Sequence, residues 1–302
     1  DGISCSVYMN AGQIENKGIE IQISATPFKG EFSWETTLSW SKNNNKILSL
    51  ANNQNQLANA KAGTKWGNVI RNYVGRPMGD MYMLKVIGTF NTEEDLTKYA
   101  TNGTQGIGDL IFEDYKKDGT IDVNDYQLVG NYQPDFTFGW TNTFKYKDLD
   151  LAVTIDGQCG GNVIYAAARA FSLNRYDDNV LAESGLGRWI SPTNTGNGTS
   201  HKAGTNNLGS NIGPSTRYLY DADFLRIRNI SLGYTLPKKF CKTIGIEGLR
   251  ISANVQNLWT FDKYPGYSVE ANYEGNSATN NGVDFGGYPI SRTFTFGLNF
   301  NF

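Results

Sequence analysis

Histidine is almost missing from this chain: His201 is the only one in 302 residues. No His-based metal cluster is available, and a serine triad would have a single candidate base. No Gly-x-Ser-x-Gly elbow accompanies it, so the chain is expected not to be an enzyme. Long hydrophobic runs are missing too; none approaches the ~18 residues of a membrane-spanning helix. Nor is there an excess of one charge. Lys+Arg 27 against Asp+Glu 29 leaves a net charge of −2, which excludes a nucleic-acid partner held by basic patches. Cys5, Cys159 and Cys241 are odd in number, far apart and without metal-ligand spacing, and read as unpaired thiols. The glycine-rich piece at 157–161 carries no phosphate-loop lysine, so nucleotide binding has no support. The chain opens at Asp1 with neither Met nor signal peptide, so a preceding part is expected to be processed or missing.

What is plentiful points to β structure. Gly 34, Tyr 17 and Phe 16, with Asn-rich stretches, read as an all-β chain with many turns. In the last stretch Phe294, Phe296, Leu298, Phe300 and Phe302 share one face of a strand, while Thr293, Thr295, Gly297, Asn299 and Asn301 share the other. A transmembrane barrel strand has this pattern: apolar toward lipid, small and polar toward the lumen. A terminal Phe closing such a strand resembles the assembly signal of bacterial outer-membrane proteins. An amphipathic strand of a soluble sandwich is the competing reading.

Earlier segments repeat the pattern. Residues 18–26 alternate, Pro27 to Gly30 turn, and Phe32, Trp34, Thr36, Leu38 and Trp40 share a face. A weaker pair is expected at 68–75 and 79–88 around Arg76 and Pro77. Phe136, Phe138, Trp140 and Phe144 agree in parity, with Asn142 interrupting; Leu149, Leu151, Val153 and Ile155 follow. Asp150, Thr154 and Asp156 on the opposite face cannot lie unpaired in a dry core, whereas a wet lumen accommodates them. Asn162 is placed to cap a short helix over 163–171. Along 224–236, a bulge near Arg228 and Asn229 would reconcile Leu225 and Ile227 with Ile230, Leu232 and Tyr234. Leu249, Ile251, Ala253 and Val255 complete the set.

Connections near 28, 76, 147 and 240 are short; those at about 42–66, 89–134, 158–222 and 262–288 are long. Short periplasmic turns and long extracellular loops alternate in this way in outer-membrane barrels. About nine strands result, an odd number, whereas single-chain bacterial barrels have even counts. The expectation is therefore a single domain over 1–302 forming the C-terminal portion of a larger antiparallel transmembrane β-barrel.

Several blocks then become specific: Asn16 to Ile21; Gly108-Asp109-Leu110 through Asp118-Gly119-Thr120-Ile121-Asp122 to Gly130-Asn131; Phe224 to Pro237; and Val255-Gln256-Asn257-Leu258. In this order they resemble the C-terminal barrel of SusC/RagA-type TonB-linked outer-membrane proteins of Bacteroidota. The resemblance implies a plugged barrel of roughly 22 strands, with the plug domain and its TonB-contacting segment not present in this chain. It implies a SusD-like surface lipoprotein as lid, import of oligosaccharides or oligopeptides, energy from the TonB–ExbB–ExbD complex, and a place in the lipid of the cell outer membrane. The competing functions are a passive porin-type barrel and a secreted β-rich sugar-binding or adhesin module.

One loop carries possible ligand chemistry. Asp114, Asp118, Asp122 and Asp125, with Gly119 at the turn, resemble an EF-hand loop and would hold calcium or magnesium. Lys116 opposes this, since it puts a cation where an oxygen ligand belongs. The alternative is a turn held by Asx-type hydrogen bonds. No other cofactor is expected. The loop aromatics Trp189, Tyr218, Tyr220, Trp259, Tyr264 and Tyr267 suit stacking on a sugar or gripping a peptide, but singly are read as loop packing or interfacial girdle; substrate residues remain unassigned. Calorimetric titration of the intact protein separates the two loop readings: heat at up to millimolar calcium marks an ion site, and a flat trace leaves only the turn.

Overall fold

The computed structural model describes residues 12–57, 66, 69–172, 179–204, 211–243, 245–272 and 281–302. In chain order the strands are β1 (Gly12–Phe28), β2 (Phe32–Leu50), β3 (Asp80–Met83), β4 (Val86–Thr89), β5 (Leu110–Phe112), β6 (Gln127–Asn131), β7 (Phe136–Tyr146), β8 (Leu149–Cys159), β9 (Asn162–Tyr165), β10 (Leu219–Asp221), β11 (Phe224–Thr235), β12 (Gly248–Phe261), β13 (Val283–Asp284) and β14 (Thr293–Asn301). Seven of them form one antiparallel sheet in the order β1-β2-β7-β8-β11-β12-β14. Because sheet neighbours are also sequence neighbours among these seven, successive connections alternate ends. The turns at 29–31, 147–148 and 236–247 leave one end, and the long segments at 51–135, 160–223 and 262–292 leave the other.

Period-two patterning fixes the register. Phe28, Trp34, Phe144, Leu151, Leu232, Ala253 and Phe296 make one cross-strand row through all seven strands. The adjacent row, on the opposite face, is Ser33, Lys145, Asp150, Gly233, Ser252 and Gly297. The apolar face is not buried: Ile19 is 62% and Phe296 81% exposed. Most fully buried side chains lie elsewhere, in the layer built from the long connections, around Trp66, Ile70, Met81, Met83, Ile164, Tyr218 and Val283. A soluble sandwich would show the reverse, with sheet faces dry and loops wet.

The greasy face carries two polar side chains, Thr36 and Asn142, directly opposite each other. Each is satisfied by an indole: Trp34 Nε1 donates to Asn142 Oδ1 at 3.0 Å, and Trp140 Nε1 donates to Thr36 Oγ1 at 2.9 Å. The Asn142 interruption is therefore compensated within the aromatic face. Phe28, Phe32, Trp34 and Phe144 cluster near the short-turn end, with centroids 5.9–6.4 Å apart. The wet face is stitched by ion pairs between strands. Arg250 grips Asp150 at 2.7 and 2.9 Å across Gly233, where a Cβ would collide with the guanidinium. The bulge expected near Arg228 is present, with register shifting between Ile227 and Asn229.

Four expectations need correction. The wall sheet has seven strands, not about nine. The weak pair at 68–75 and 79–88 does meet, Ile70 bridging antiparallel to Met81 with Arg71 N donating to Asp80 O and Tyr82 N to Val69 O, but it lies in the loop layer, where β3 also pairs with β6 and β4 with β5, and not in the wall. Asp80, Met81 and Met83 are all buried, so both faces of that segment are covered and alternation has no reason to exist. The helix expected over 163–171 is a strand followed by a short 3-10 turn, Ala166–Arg169. β-Branched Val163 and Ile164 pair with β10, and Ile164 also with Val283 of β13, while the Asn162 carboxamide accepts from Asn131 N instead of capping. Finally, the polar stretch from 42 continues β2 as far as Leu50, paired with β1 throughout.

β2 has 19 residues, nearly twice the ~9–11 that cross a bilayer as a tilted strand. The excess lies at the long-connection end and carries the loop layer. There, Ile47 N donates to Arg76 O, and Asn45 Oδ1 accepts from Met78 N at 2.9 Å.

Facial assignment is testable by charge. Leu232→Arg puts a cation on the greasy face and is expected to destabilise the folded protein by about 2–4 kcal/mol. Ser231→Arg, one residue away on the wet face, is expected to change little. The shift in electrophoretic mobility between unheated and heated samples reads the folded fraction; equal losses would contradict the assignment.

Candidate functional site: the wet face of the wall

The wet face of β1, β2, β7 and β8 holds two adjoining cavities. The larger, about 690 Å3, is lined by Glu20, Gln22, Ser39, Asp156, Gln158 and Glu270, among others. The smaller, about 320 Å3, lies toward the loop layer against Asn16, Asn43, Asn45, Tyr132 and Gln133. Ser41 and Thr137 border both, so the two form one groove.

Each polar group is positioned by the pleat. Asn16, Asn43 and Asn45 share a face, and Asn16 Oδ1 accepts from Asn45 Nδ2 at 2.8 Å and Asn43 Nδ2 at 3.2 Å. Gln158 Nε2 donates to Ala222 O at 2.8 Å and Ser39 Oγ to Gly139 O at 3.2 Å. Two acidic groups are neutralised: Arg228 holds Asp156 at 2.9 and 2.6 Å, and buried Arg226 pairs with Glu270 while donating to Thr260. Among the described residues Glu20 makes no ion pair. The groove thus presents amides, hydroxyls and one unpaired carboxylate, a surface suited to hydrogen-bonding a polar chain.

Arg226, Arg228 and Arg250 bond within the wall and its loops, not across an open lumen. The loop aromatics mostly pack. Tyr165, Tyr220 and Tyr264 meet edge-on, 5.3–6.4 Å apart, and Tyr264 donates to buried Asp284 Oδ2 at 2.6 Å. Burial pushes the Tyr220 phenol up to about 12; burial and Asp284 push Tyr264 higher still, so it stays a neutral donor. Tyr218 is buried edge-on against Trp66. Trp189 Nε1 donates to Asn91. Trp259 lies in β12 on the greasy face under the Arg292 guanidinium, and Tyr267 is exposed. His201 is buried, with Nδ1 2.8 Å from Arg217. Cys159 and Cys241 are free thiols; Cys5 lies outside the described residues.

The aspartate loop is closed by its own backbone. Asp114 accepts from Asp118 N and Gly119 N at 3.2 and 2.9 Å, and Asp118 from Thr120 N at 3.0 Å. Asp122 accepts from Asn124 N at 2.6 Å; fully buried Asp125 accepts from Lys116 N and Asp122 N at 3.1 and 2.9 Å. Lys117 and Gly119 take left-handed φ of 59° and 82° to make the turn. Among the described residues no group of three or more His, Cys, Asp or Glu is placed to hold a metal ion.

A sheet greasy on one face and wet on the other, with long connections at one end, defines part of the wall of a transmembrane β-barrel. Over its whole length the chain is similar to part of TonB-dependent receptors, SusC among them. It is 31% identical over 310 residues to a TonB-dependent receptor of Formosa agariphila, an alignment spanning 100% of this chain and 30% of that protein. It is 28% identical over 302 residues to the TonB-dependent receptor SusC of Bacteroides thetaiotaomicron, covering 97% of this chain and 27% of SusC. The chain thus spans less than a third of the length of these relatives. No family model matches it. Among solved structures, the RagAB peptide transporter superposes with a TM-score of 0.74 at 18% identity, over 97% of this chain and 30% of that one. The open-open state of the RagAB peptide importer gives 0.67 at 19% identity, over 96% and 29%.

Asn45 links the groove to the loop layer. Asn45→Ala removes the acceptor of Met78 N and is expected to weaken this junction by about 1–2 kcal/mol. Hydrogen exchange should show faster deuteration at 76–81, with the lower strands unchanged; unaltered exchange there would disprove the link.

Proposed function

We propose that this chain supplies wall and outer loops of a TonB-dependent outer-membrane importer of oligosaccharides or oligopeptides. A SusD-like lipoprotein would cover the loop layer, and the TonB–ExbB–ExbD complex would act through a plug contributed by other sequence. The observation that carries this reading is the inverted burial: an uncovered apolar sheet face combined with a dry core in the loops, in a chain homologous throughout to TonB-dependent receptors. The edge strands β1 and β14 each have one neighbour in the sheet and would pair with further wall.

In this reading the wall performs no chemistry. Substrate held beneath the lid passes down the wet face, exchanging hydrogen bonds with Asn16, Asn43, Asn45, Gln22 and Glu20. Arg228–Asp156 and Arg250–Asp150 hold that surface in shape. For the aspartate loop we propose a self-bonded turn in the outer layer; a calcium ion would have to take carboxylate oxygens from the backbone N–H groups they now accept.

The test uses the full-length protein in cells. Uptake of a labelled oligosaccharide or peptide is expected to stop when TonB is removed, and a SusD-like lipoprotein to co-purify in detergent. Uptake that persists without TonB would indicate a passive porin, and a protein soluble without detergent an adhesin.

A further inference from the structure

The loop layer contains a small enclosed pocket with an unusual charge balance. It measures about 20 Å3 and is bordered by Glu183, Ser184, Ser200, Arg217 and Tyr218. Arg217 sits on the short turn Thr216–Tyr218. Its Nη1 donates to His201 Nδ1 at 2.8 Å and Asn211 O at 3.5 Å, its Nη2 to Ser184 Oγ at 3.2 Å, and its guanidinium lies over the Tyr218 ring. All these partners are neutral. Among the described residues no carboxylate lies within ion-pair distance of Arg217, in contrast to Arg226, Arg228 and Arg250. Burial accordingly lowers the Arg217 pKa. A half-buried cation with no carboxylate in ion-pair contact gains stability when an anion joins it.

The hydroxyls beside it are donors without acceptors. Ser184 Oγ receives from Arg217, which leaves its own proton to point elsewhere. The Tyr218 hydroxyl is buried and has no hydrogen-bond partner among the described residues. Both residues border the pocket, whose size admits one small particle. Glu183 opposes an anion, but its side chain is exposed to water and makes no ion pair with Arg217.

We propose that this pocket binds a single chloride ion, held by the Arg217 guanidinium and the Ser184 and Tyr218 hydroxyls, and that the ion fixes the turn 216–218 against the segment 181–200. The small space suits a compact ion, and the positive charge favours a halide over water. The site rests on loop-layer geometry alone and is independent of what the transporter carries.

The experiment uses the full-length protein in detergent. Crystals soaked in sodium bromide should show an anomalous peak in contact with Arg217 and the Tyr218 hydroxyl. The Tm should be higher in sodium chloride than in sodium gluconate at equal ionic strength. Tyr218→Phe, which keeps the packing, should raise the halide Kd about tenfold or more by removing one hydrogen bond to a charged group. Arg217→Gln should abolish the chloride dependence of Tm. Density for water only, an unchanged Tm between the two salts, or a halide effect that survives both variants would overturn the proposal.

Discussion

Hydrocarbon on one side of a sheet and water on the other is the constraint from which this structure follows. A strand turns successive side chains to opposite faces, so a wall between two solvents must alternate at every step. The row from Phe28 to Phe296 obeys this through seven strands, and the neighbouring row from Ser33 to Gly297 obeys it in the opposite sense. The exceptions are informative. Thr36 and Asn142 break the greasy face only where two tryptophan N–H groups bond them, because an unpaired amide against hydrocarbon would cost several kcal/mol.

A wall of this kind has no core of its own, so tight packing is displaced to the loop layer. Residues that a soluble protein would leave in mobile loops, such as Met81, Ile164 and Val283, are here the driest in the molecule. β1 and β2 continue beyond the length a bilayer requires and serve as the post on which this layer is built. Function follows from that division. The wet face offers fixed amides and hydroxyls, while the loops carry a dry core of their own.

The wall was legible because its signal is periodic and local. Ile19, Leu151 and Phe296 announce their faces without reference to any partner. The bulge at Arg228 was readable for the same reason, since a single parity break between Ile227 and Ile230 admits one extra residue. The pair at 68–88 forms, but in the loop layer and not in the wall, and its alternation is poor because Asp80, Met81 and Met83 are covered on both faces. The segment 163–171 was misread because Ala166–Arg169 carries helix propensity while Val163 and Ile164 answer to strands distant in sequence. The groove left no sequence signal: Asn43 and Asn45 sit where β2 is wet on both sides, so their alternation is invisible against Asn44 and Lys46.

By itself, then, the sequence determined which segments cross between solvents and which side each residue faces, because a two-residue period needs only the strand's own geometry. Tertiary structure alone decided how the connections pack, that Arg226, Arg228 and Arg250 find their acids within the wall and its loops, and that Arg217 finds none among the described residues. Those outcomes depend on contacts tens to more than a hundred residues apart, which no local pattern encodes.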